Sequence, residues 1–185
     1  MNILSPADGE LFYEIWIPVL DYANTTKKVH PELPKIVRNM SVGLDKLYSI
    51  AEKVWEDGEF IDRYLDAHPS LPEEHRQILT GWKRRVHGSF MVERHRRDDT
   101  IFIGGEEEHN EKVYSVIGIM SSLYELFPSF VLPMFIHATL VPWKGKIIPD
   151  GLINAERIKF GPGIVSTYKE RFLKAKREGK IITSL

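Results

Sequence analysis

The spacing of apolar side chains changes at Val86, and this change limits what the chain can fold into. Upstream, apolar residues recur about every 3.6 positions, as on one face of a helix. From Val86 to His95 the period falls to two, which is typical of a strand. We therefore predict a helical region over residues 1–84 and a β-rich domain over residues 85–185. No flexible linker separates them, so we expect one shared core.

The helical region carries several start and stop signals. Ser5-Pro6 predicts the start of a first helix, because serine caps well and proline fits the first turn. Pro18 should kink or divide that helix. We expect a second helix from Pro34 to Glu56, with a break at residues 41–43. Ser70 to Glu73 has the spacing of a capping box and should open the last helix of this region.

The second half predicts short strands joined by tight turns. We expect five strands, at Val86–His95, Thr100–Ile103, Lys112–Ile119, Met134–Val141 and Lys146–Ile148. A glutamate-rich hairpin loop at 104–110, a final helix over Ile164–Glu178 and an edge strand at Ile181–Ile182 complete the pattern. The fold class is α+β: an N-terminal helical bundle packed on a small antiparallel β-barrel or bent sheet, with a C-terminal helix.

Composition excludes some classes of protein. The chain of 185 residues has no cysteine, so disulfides, thiolate metal sites and thiol catalysis are excluded. A net charge of −1 is unlike that of a bulk nucleic-acid binder. Residues 1–84 hold 10 basic against 14 acidic residues, and residues 85–185 hold 15 against 12. No apolar run approaches the roughly 20 residues of a membrane helix, and the first residues do not resemble a signal peptide. We expect a cytoplasmic protein with no membrane partner.

Several segments of the second half resemble a family of uncharacterised bacterial proteins. They are Gly88–His95, Asp99–Ile103, Lys144–Ile148 with the following Asp150-Gly151-Leu152, and the chain end Gly179–Leu185. The resemblance covers about the last hundred residues and implies a bacterial origin, with a helical N-terminus before a small β-rich domain. The family has no known activity, so the resemblance assigns no catalytic residue.

Common catalytic signatures are absent from the sequence. There is no phosphate loop, dinucleotide fingerprint, nucleophile elbow, metalloprotease helix or calcium loop, and no cofactor is expected. The sequence therefore favours a non-enzymatic binding or regulatory protein. In this hypothesis the β-rich domain recognises the ligand, and the helices act as a support or a dimerisation surface. The partner would be another protein or a second copy of the chain.

An alternative is a metal-assisted hydrolase. Glu93 and His95 are two residues apart on one strand, so they should face the same side and share a cation, with His137 as a third ligand if the two strands pair. Asp150 at a turn could act as an acid or base with His137. The plainer interpretation pairs Glu93 with an arginine and leaves His137 as a hydrogen-bonded core residue.

A third hypothesis, ranked below the other two, is a nucleic-acid-binding regulator. Basic residues near strand ends and on the last helix could bind an anion or an acidic partner. The candidates are Arg94, Arg96, Arg97, Lys144, Lys146, Lys174 and Arg177. The plainer interpretation is a solvated turn whose positive charge is offset by Asp98, Asp99 and the glutamate loop.

Overall fold

The switch at Val86 is confirmed in the computed structural model, which describes residues 2–38, 41–105, 111–156 and 158–185. Four α-helices precede it in the described ranges: α1 (Pro6–Lys27), α2 (Leu44–Trp55), α3 (Phe60–Ala67) and α4 (Glu73–Gly81). A 3₁₀ turn at Trp82–Arg84 leads directly into the first strand. The fold is therefore mixed helix and sheet.

Contacts between residues divide the chain into two units. The helical unit is Ser5–Lys83, and the β-rich unit is Arg84–Leu185 together with the N-terminal residues up to Leu4. In the β-rich unit, the N–H of Leu4 bonds to the carbonyl of Gly118 at 3.0 Å. A few N-terminal residues therefore belong with the sheet rather than with α1.

An aromatic cluster forms the core of the helical unit. Trp16 of α1 stacks on Trp55 of α2 with ring centroids 4.9 Å apart. Trp82 meets both rings edge-on, at 5.6 and 6.3 Å, and is fully buried. Aromatic pairs in such geometry add to the free energy gained by burying their area. The helices of this unit are thus joined by side chains that are far apart in sequence.

The β-rich unit contains one curled sheet with the shape of a half-barrel. Six strands lie in the order β5-β4-β1-β2-β3-β7, and β6 pairs with β4. The strands are β1 (Val86–His95), β2 (Thr100–Gly105), β3 (Lys112–Val116), β4 (Met134–Trp143), β5 (Lys146–Pro149), β6 (Asn154–Glu156) and β7 (Ile181–Ile182). The bent-sheet prediction is confirmed, but the sheet is not wholly antiparallel because β7 runs parallel to β3.

Each face of the sheet has its own apolar cluster. Phe90, Val92 and Phe102 belong to one face, where the short helix α5 (Leu123–Leu126) contributes Leu123. On the opposite face Met91, Ile101 and Ile103 are packed against Phe172 and Ala175. The latter two belong to helix α6 (Pro162–Arg177). The final helix predicted from the sequence is therefore confirmed, and it covers part of one face.

Three local predictions differ from the structure. No helix is present at residues 34–38; α2 begins at Leu44, and the N–H of Ile36 donates instead to the carboxylate of Asp21 at 2.7 Å. Helix α1 is not divided at Pro18, and the kink expected as the other effect of this proline stays a prediction. Ser70 makes no cap for α4, whereas Ser122 and Glu125 form a capping box on α5.

The described ranges also bear on two further expectations. Most of the predicted glutamate-rich loop, residues 106–110, lies outside the described residues. Within the described ranges, no helix combines the length and the apolar character that crossing a lipid bilayer requires.

Candidate functional site

Two histidines lie together on one face of the β-rich unit. The register of β1 with β4 places Ser89 opposite His137 and His87 opposite Thr139. Residues opposite one another or two apart on a strand share a face, so these four polar side chains form one group. The imidazole rings of His87 and His137, called here the histidine pair, have centroids 5.1 Å apart and an interplanar angle of 87°.

A hydroxyl group orients each ring of the histidine pair. His87 Nδ1 lies 2.8 Å from Thr139 Oγ1, and His137 Nδ1 lies 3.1 Å from Ser89 Oγ. Thr139 is only 2% exposed, which restricts its side chain. Because Nδ1 is engaged in both rings, Nε2 is the nitrogen that each ring directs away from its hydroxyl partner.

Asp150 lies one strand further across the same face. Its N–H donates to the carbonyl of Thr139 at 2.9 Å, which extends the β4–β5 pairing by one residue. Asp150 is therefore a diagonal neighbour of His137. Its Oδ1 accepts the N–H of Leu152 at 3.0 Å and so stabilises the turn. The suggested acid–base role with His137 stays a prediction, while the turn role has a direct contact.

The predicted cation ligands Glu93, His95 and His137 do not come together. The register of β1 with β2 shifts between Val92 and Arg94, so Glu93 is the extra residue of a β-bulge. Its carboxylate bonds to the guanidinium of Arg94. The ring of His95 bonds to Thr100 Oγ1 at 2.8 Å and to the carbonyl of Phe127 at 2.6 Å.

The third predicted ligand is distant along the sheet. His137 pairs with Ser89, which is six residues before His95 on β1. Six residues of a strand span about 20 Å. The bulge and this register together explain why the predicted trio is not a site.

Of the three arginines at the end of β1 and just beyond it, two are paired with carboxylates. Arg94 bonds to Glu93, which raises the pKa of the arginine, and its guanidinium lies 4.4 Å from the ring centre of Phe172. Arg96 Nε donates to Asp99 at 2.6 Å. Arg97 is exposed. Two of the three positive charges are therefore offset by carboxylates within the same segment.

The remaining basic candidates belong to separate elements. Lys144 and Lys146 are exposed in the β4–β5 turn, where Lys144 adopts a positive φ of 45°. Lys174 and Arg177 are exposed in the last turn of α6. Lys174 lines a groove of about 360 Å³ that also contains Glu111 and Glu178. Basic and acidic side chains alternate there, which weakens any net attraction for an anion.

The helical unit contains a cavity that the sequence did not reveal. It is an open cavity of about 580 Å³, lined by α1, by the segment that precedes α2, and by His68 just after α3. Its walls combine aromatic, apolar and charged side chains, supplied by Tyr13, Glu14, Ile17, Pro18, Asp21, Tyr22, Thr25, Lys35, Ile36, Val37, Arg38 and His68.

Pro18 gives the α1 wall an unusual polar group. Proline has no N–H, so the carbonyl of Glu14 cannot receive the usual helical bond from position 18. Both Glu14 and Pro18 line the cavity. Asp21, one turn further on, is fixed by the bond from the Ile36 N–H, which also holds the opposite wall in place. The residues of this wall therefore include two with acceptor groups, the carbonyl of Glu14 and the carboxylate of Asp21.

Aromatic side chains form another part of the cavity. The ring of Tyr22 meets that of His68 edge-on at 5.2 Å, and His68 Nδ1 bonds to the carbonyl of Tyr64 at 2.8 Å. Burial raises the pKa of Tyr13, so its hydroxyl stays neutral at physiological pH. The aromatic faces can contact an apolar or a cationic ligand.

Acidic side chains slightly outnumber basic side chains around the cavity. Glu14 and Asp21 contribute carboxylates from α1, and Lys35 and Arg38 contribute cations from the facing segment. Arg38 forms an ion pair with Glu10. With Glu10 included, three carboxylates accompany two cations, so a positively charged ligand is favoured over a negatively charged one.

Comparison of the chain with protein-family models, with curated proteins and with solved structures found no match.

Proposed function

We propose that this protein is a non-enzymatic binding protein whose ligand occupies the cavity beside α1. The ligand we propose is a small organic amine with an apolar or aromatic body. The cavity itself carries this proposal, because about 580 Å³ is within the usual range for small-molecule sites, about 300–1,000 Å³. The sequence favoured recognition by the β-rich domain, but the basic side chains proposed there are largely offset by acids or dispersed over separate elements.

The polar groups of the cavity support the choice of an amine. An ammonium group is a donor only and needs several acceptors around it. The α1 wall offers the carboxylate of Asp21 and the carbonyl of Glu14, whose helical bond is prevented by Pro18. The rings of Tyr13 and Tyr22 can lie against the apolar body of the ligand or against its positive charge.

Three probe molecules of nearly equal shape test the proposal. Phenethylamine, phenethyl alcohol and phenylacetate share an aromatic ring but are cationic, neutral and anionic respectively. We expect amide shift changes in ¹H–¹⁵N NMR spectra for the residues lining the cavity, with the amine binding most tightly and phenylacetate least. Equal binding of all three, or shifts confined to residues outside the cavity, would refute the amine.

Asp21→Asn examines the contribution of the charge. The asparagine oxygen can still accept the Ile36 N–H, so the wall is retained. A hydrogen bond to a charged group contributes about 1.5–3 kcal/mol, so we expect the substitution to weaken amine binding about 10-fold or more. Binding of the alcohol should be nearly unchanged. Asp66→Asn, at an exposed position on α3 outside the cavity, is the matched control.

The other sequence hypotheses stay predictions. They are a support or dimerisation role for the helices packed on the sheet, a metal-assisted hydrolase, and a nucleic-acid-binding regulator. Amine binding that is lost in Asp21→Asn and retained in Asp66→Asn would support the binding protein without testing these three.

A further inference from the structure

We infer that His87 and His137 form the chelating pair of a divalent transition-metal site in the β-rich unit. The inference is independent of the proposed amine site, because the cavity lies in the helical unit and the histidine pair lies in the β-rich unit. It rests on the separation of the two rings, on the hydroxyl groups that orient them, and on the kinds of ligand present.

The separation of the rings suits a shared ion. One nitrogen of His87 lies within 4.8 Å of one nitrogen of His137. Two imidazole nitrogens that each bind zinc at about 2.0–2.1 Å are at most about 4.2 Å apart. A small rotation of the rings is therefore enough to bring both nitrogens to one ion, with no change in the pairing of β1 with β4.

The surroundings of the rings resemble those of metal-binding histidines. Such histidines nearly always use the second ring nitrogen in a hydrogen bond that fixes the orientation of the ring. Thr139 provides this bond for His87, and Ser89 provides it for His137. Both partners are on the strand opposite the histidine that they hold, so the sheet itself orients the pair.

The ligand types select the class of metal. Neutral imidazole suits Zn²⁺, Cu²⁺ and Ni²⁺, whereas Mg²⁺ and Ca²⁺ prefer oxygen ligands. Two histidines leave coordination positions for water or for another molecule. The site therefore differs from a closed structural zinc site, and we expect its ion to exchange.

Zinc titration of the untagged 185-residue chain tests the inference. Loss of a ligand should cost at least as much affinity as loss of its orienting partner, which typically weakens binding about 10–100-fold. We expect His87→Ala and His137→Ala each to weaken Zn²⁺ binding in calorimetry at least about 10-fold. His75→Ala, on α4, should bind as the original chain does. Unchanged binding in both histidine-pair variants would overturn the inference.

A histidine variant could lose Zn²⁺ binding because it misfolds. A more conservative variant and a measurement on the unaltered chain separate this outcome from the loss of a ligand. Thr139→Val keeps the shape of the side chain but removes the hydroxyl from His87, so Zn²⁺ binding should weaken about 10-fold. In the unaltered chain, imidazole ¹⁵N spectra should show Zn²⁺ shifting Nε2 of His87 and of His137 together, and Mg²⁺ shifting neither. Shifts confined to other histidines, or an unaffected Thr139→Val, would contradict the site.

Discussion

Asp99 connects three strands of the sheet through one buried carboxylate. Only 8% exposed, it directly precedes β2. Arg96, which follows β1, donates to Asp99 from Nε at 2.6 Å and with a second nitrogen, and Ser115 of β3 donates its hydroxyl. Asp99→Asn removes the negative charge from this network with little change in shape.

The loss of stability expected in Asp99→Asn depends on how far Asp99 and Arg96 are exposed to solvent. An ion pair in water contributes about 0.2–1 kcal/mol, and breaking a fully buried pair costs about 3–5 kcal/mol. The side chain of Arg96 is 33% exposed and that of Asp99 10%, so we expect an intermediate loss of about 2 kcal/mol. For a chain of this length, 1 kcal/mol corresponds to about 2–4 °C. The melting temperature should therefore fall by about 4–8 °C.

The pH dependence of the stability provides a second and stricter test of the role of Asp99. Burial acts to raise the pKa of Asp99, but the bonds from Arg96 and Ser115 outweigh it and hold the pKa below its ordinary value. The carboxylate therefore stabilises the fold fully above the unfolded pKa of about 3.9, and this stabilisation is lost as the pH falls through the folded pKa. The difference between Asp99→Asn and the original chain should shrink in acid.

Thermal unfolding followed by circular dichroism at about pH 7, 5 and 3 measures both effects. Asp98→Asn removes the same charge from the exposed neighbour and should shift the midpoint by much less. The reasoning is refuted if the two variants melt alike at neutral pH. A stability difference between Asp99→Asn and the original chain that grows toward acid pH would also refute it. Such growth would require the pKa of Asp99 to be raised in the folded protein.

Two further substitutions test packing. Trp82→Ala should destabilise the helical unit by about 3–5 kcal/mol, measured by denaturant unfolding, because it empties the centre of the aromatic cluster; a cost under about 1 kcal/mol would contradict this. Gly104→Ala should cost at least about 1–3 kcal/mol, since its Cβ would lie 2.2 Å from the carbonyl oxygen of Ser89. Its control, Gly163→Ala, has open space in α6 and should be neutral or slightly stabilising.

Local signals in the sequence predicted most of the secondary structure. The start of α1 at Ser5-Pro6 is confirmed, and the Ser5 hydroxyl accepts the Asp8 N–H at 3.1 Å. The two ends of β1 match the prediction to the residue. Such features depend on neighbours within a few residues, and for that reason side-chain periodicity and capping chemistry identify them.

Features that depend on distant contacts were missed. The helix expected from Pro34 is replaced by an irregular segment that Asp21 holds through the Ile36 N–H, across 15 residues of sequence. That segment forms one wall of the cavity. Because a helix was predicted there, the cavity was not predicted either. Pro18 carried a real signal for it, because a proline inside a helix leaves a carbonyl without its helical partner.

The β-bulge at Glu93 caused one of the two errors in the site prediction, and the distance of His137 along the sheet was the other. Side chains two apart on a regular strand share a face, but an extra residue reverses that rule beyond the bulge. Val92 pairs with Phe102 and His95 with Thr100, so Val92 and His95 share a face although they are three apart. No pattern in the sequence predicted the bulge, and the proposed trio depended on its absence.

The histidine pair, in contrast, follows from a polarity gradient that is visible in the sequence. On one face of β1 the side chains change from polar His87 and Ser89 to apolar Met91, and on β4 they change from Phe135 to polar His137 and Thr139. Antiparallel pairing reverses one strand, so the register that buries Met91 with Phe135 also brings the polar halves together. The apolar half of this face is covered through Phe172 and Ala175 of α6. Matching of apolar side chains therefore selects the register, and two imidazoles with their hydroxyl partners become neighbours as a consequence.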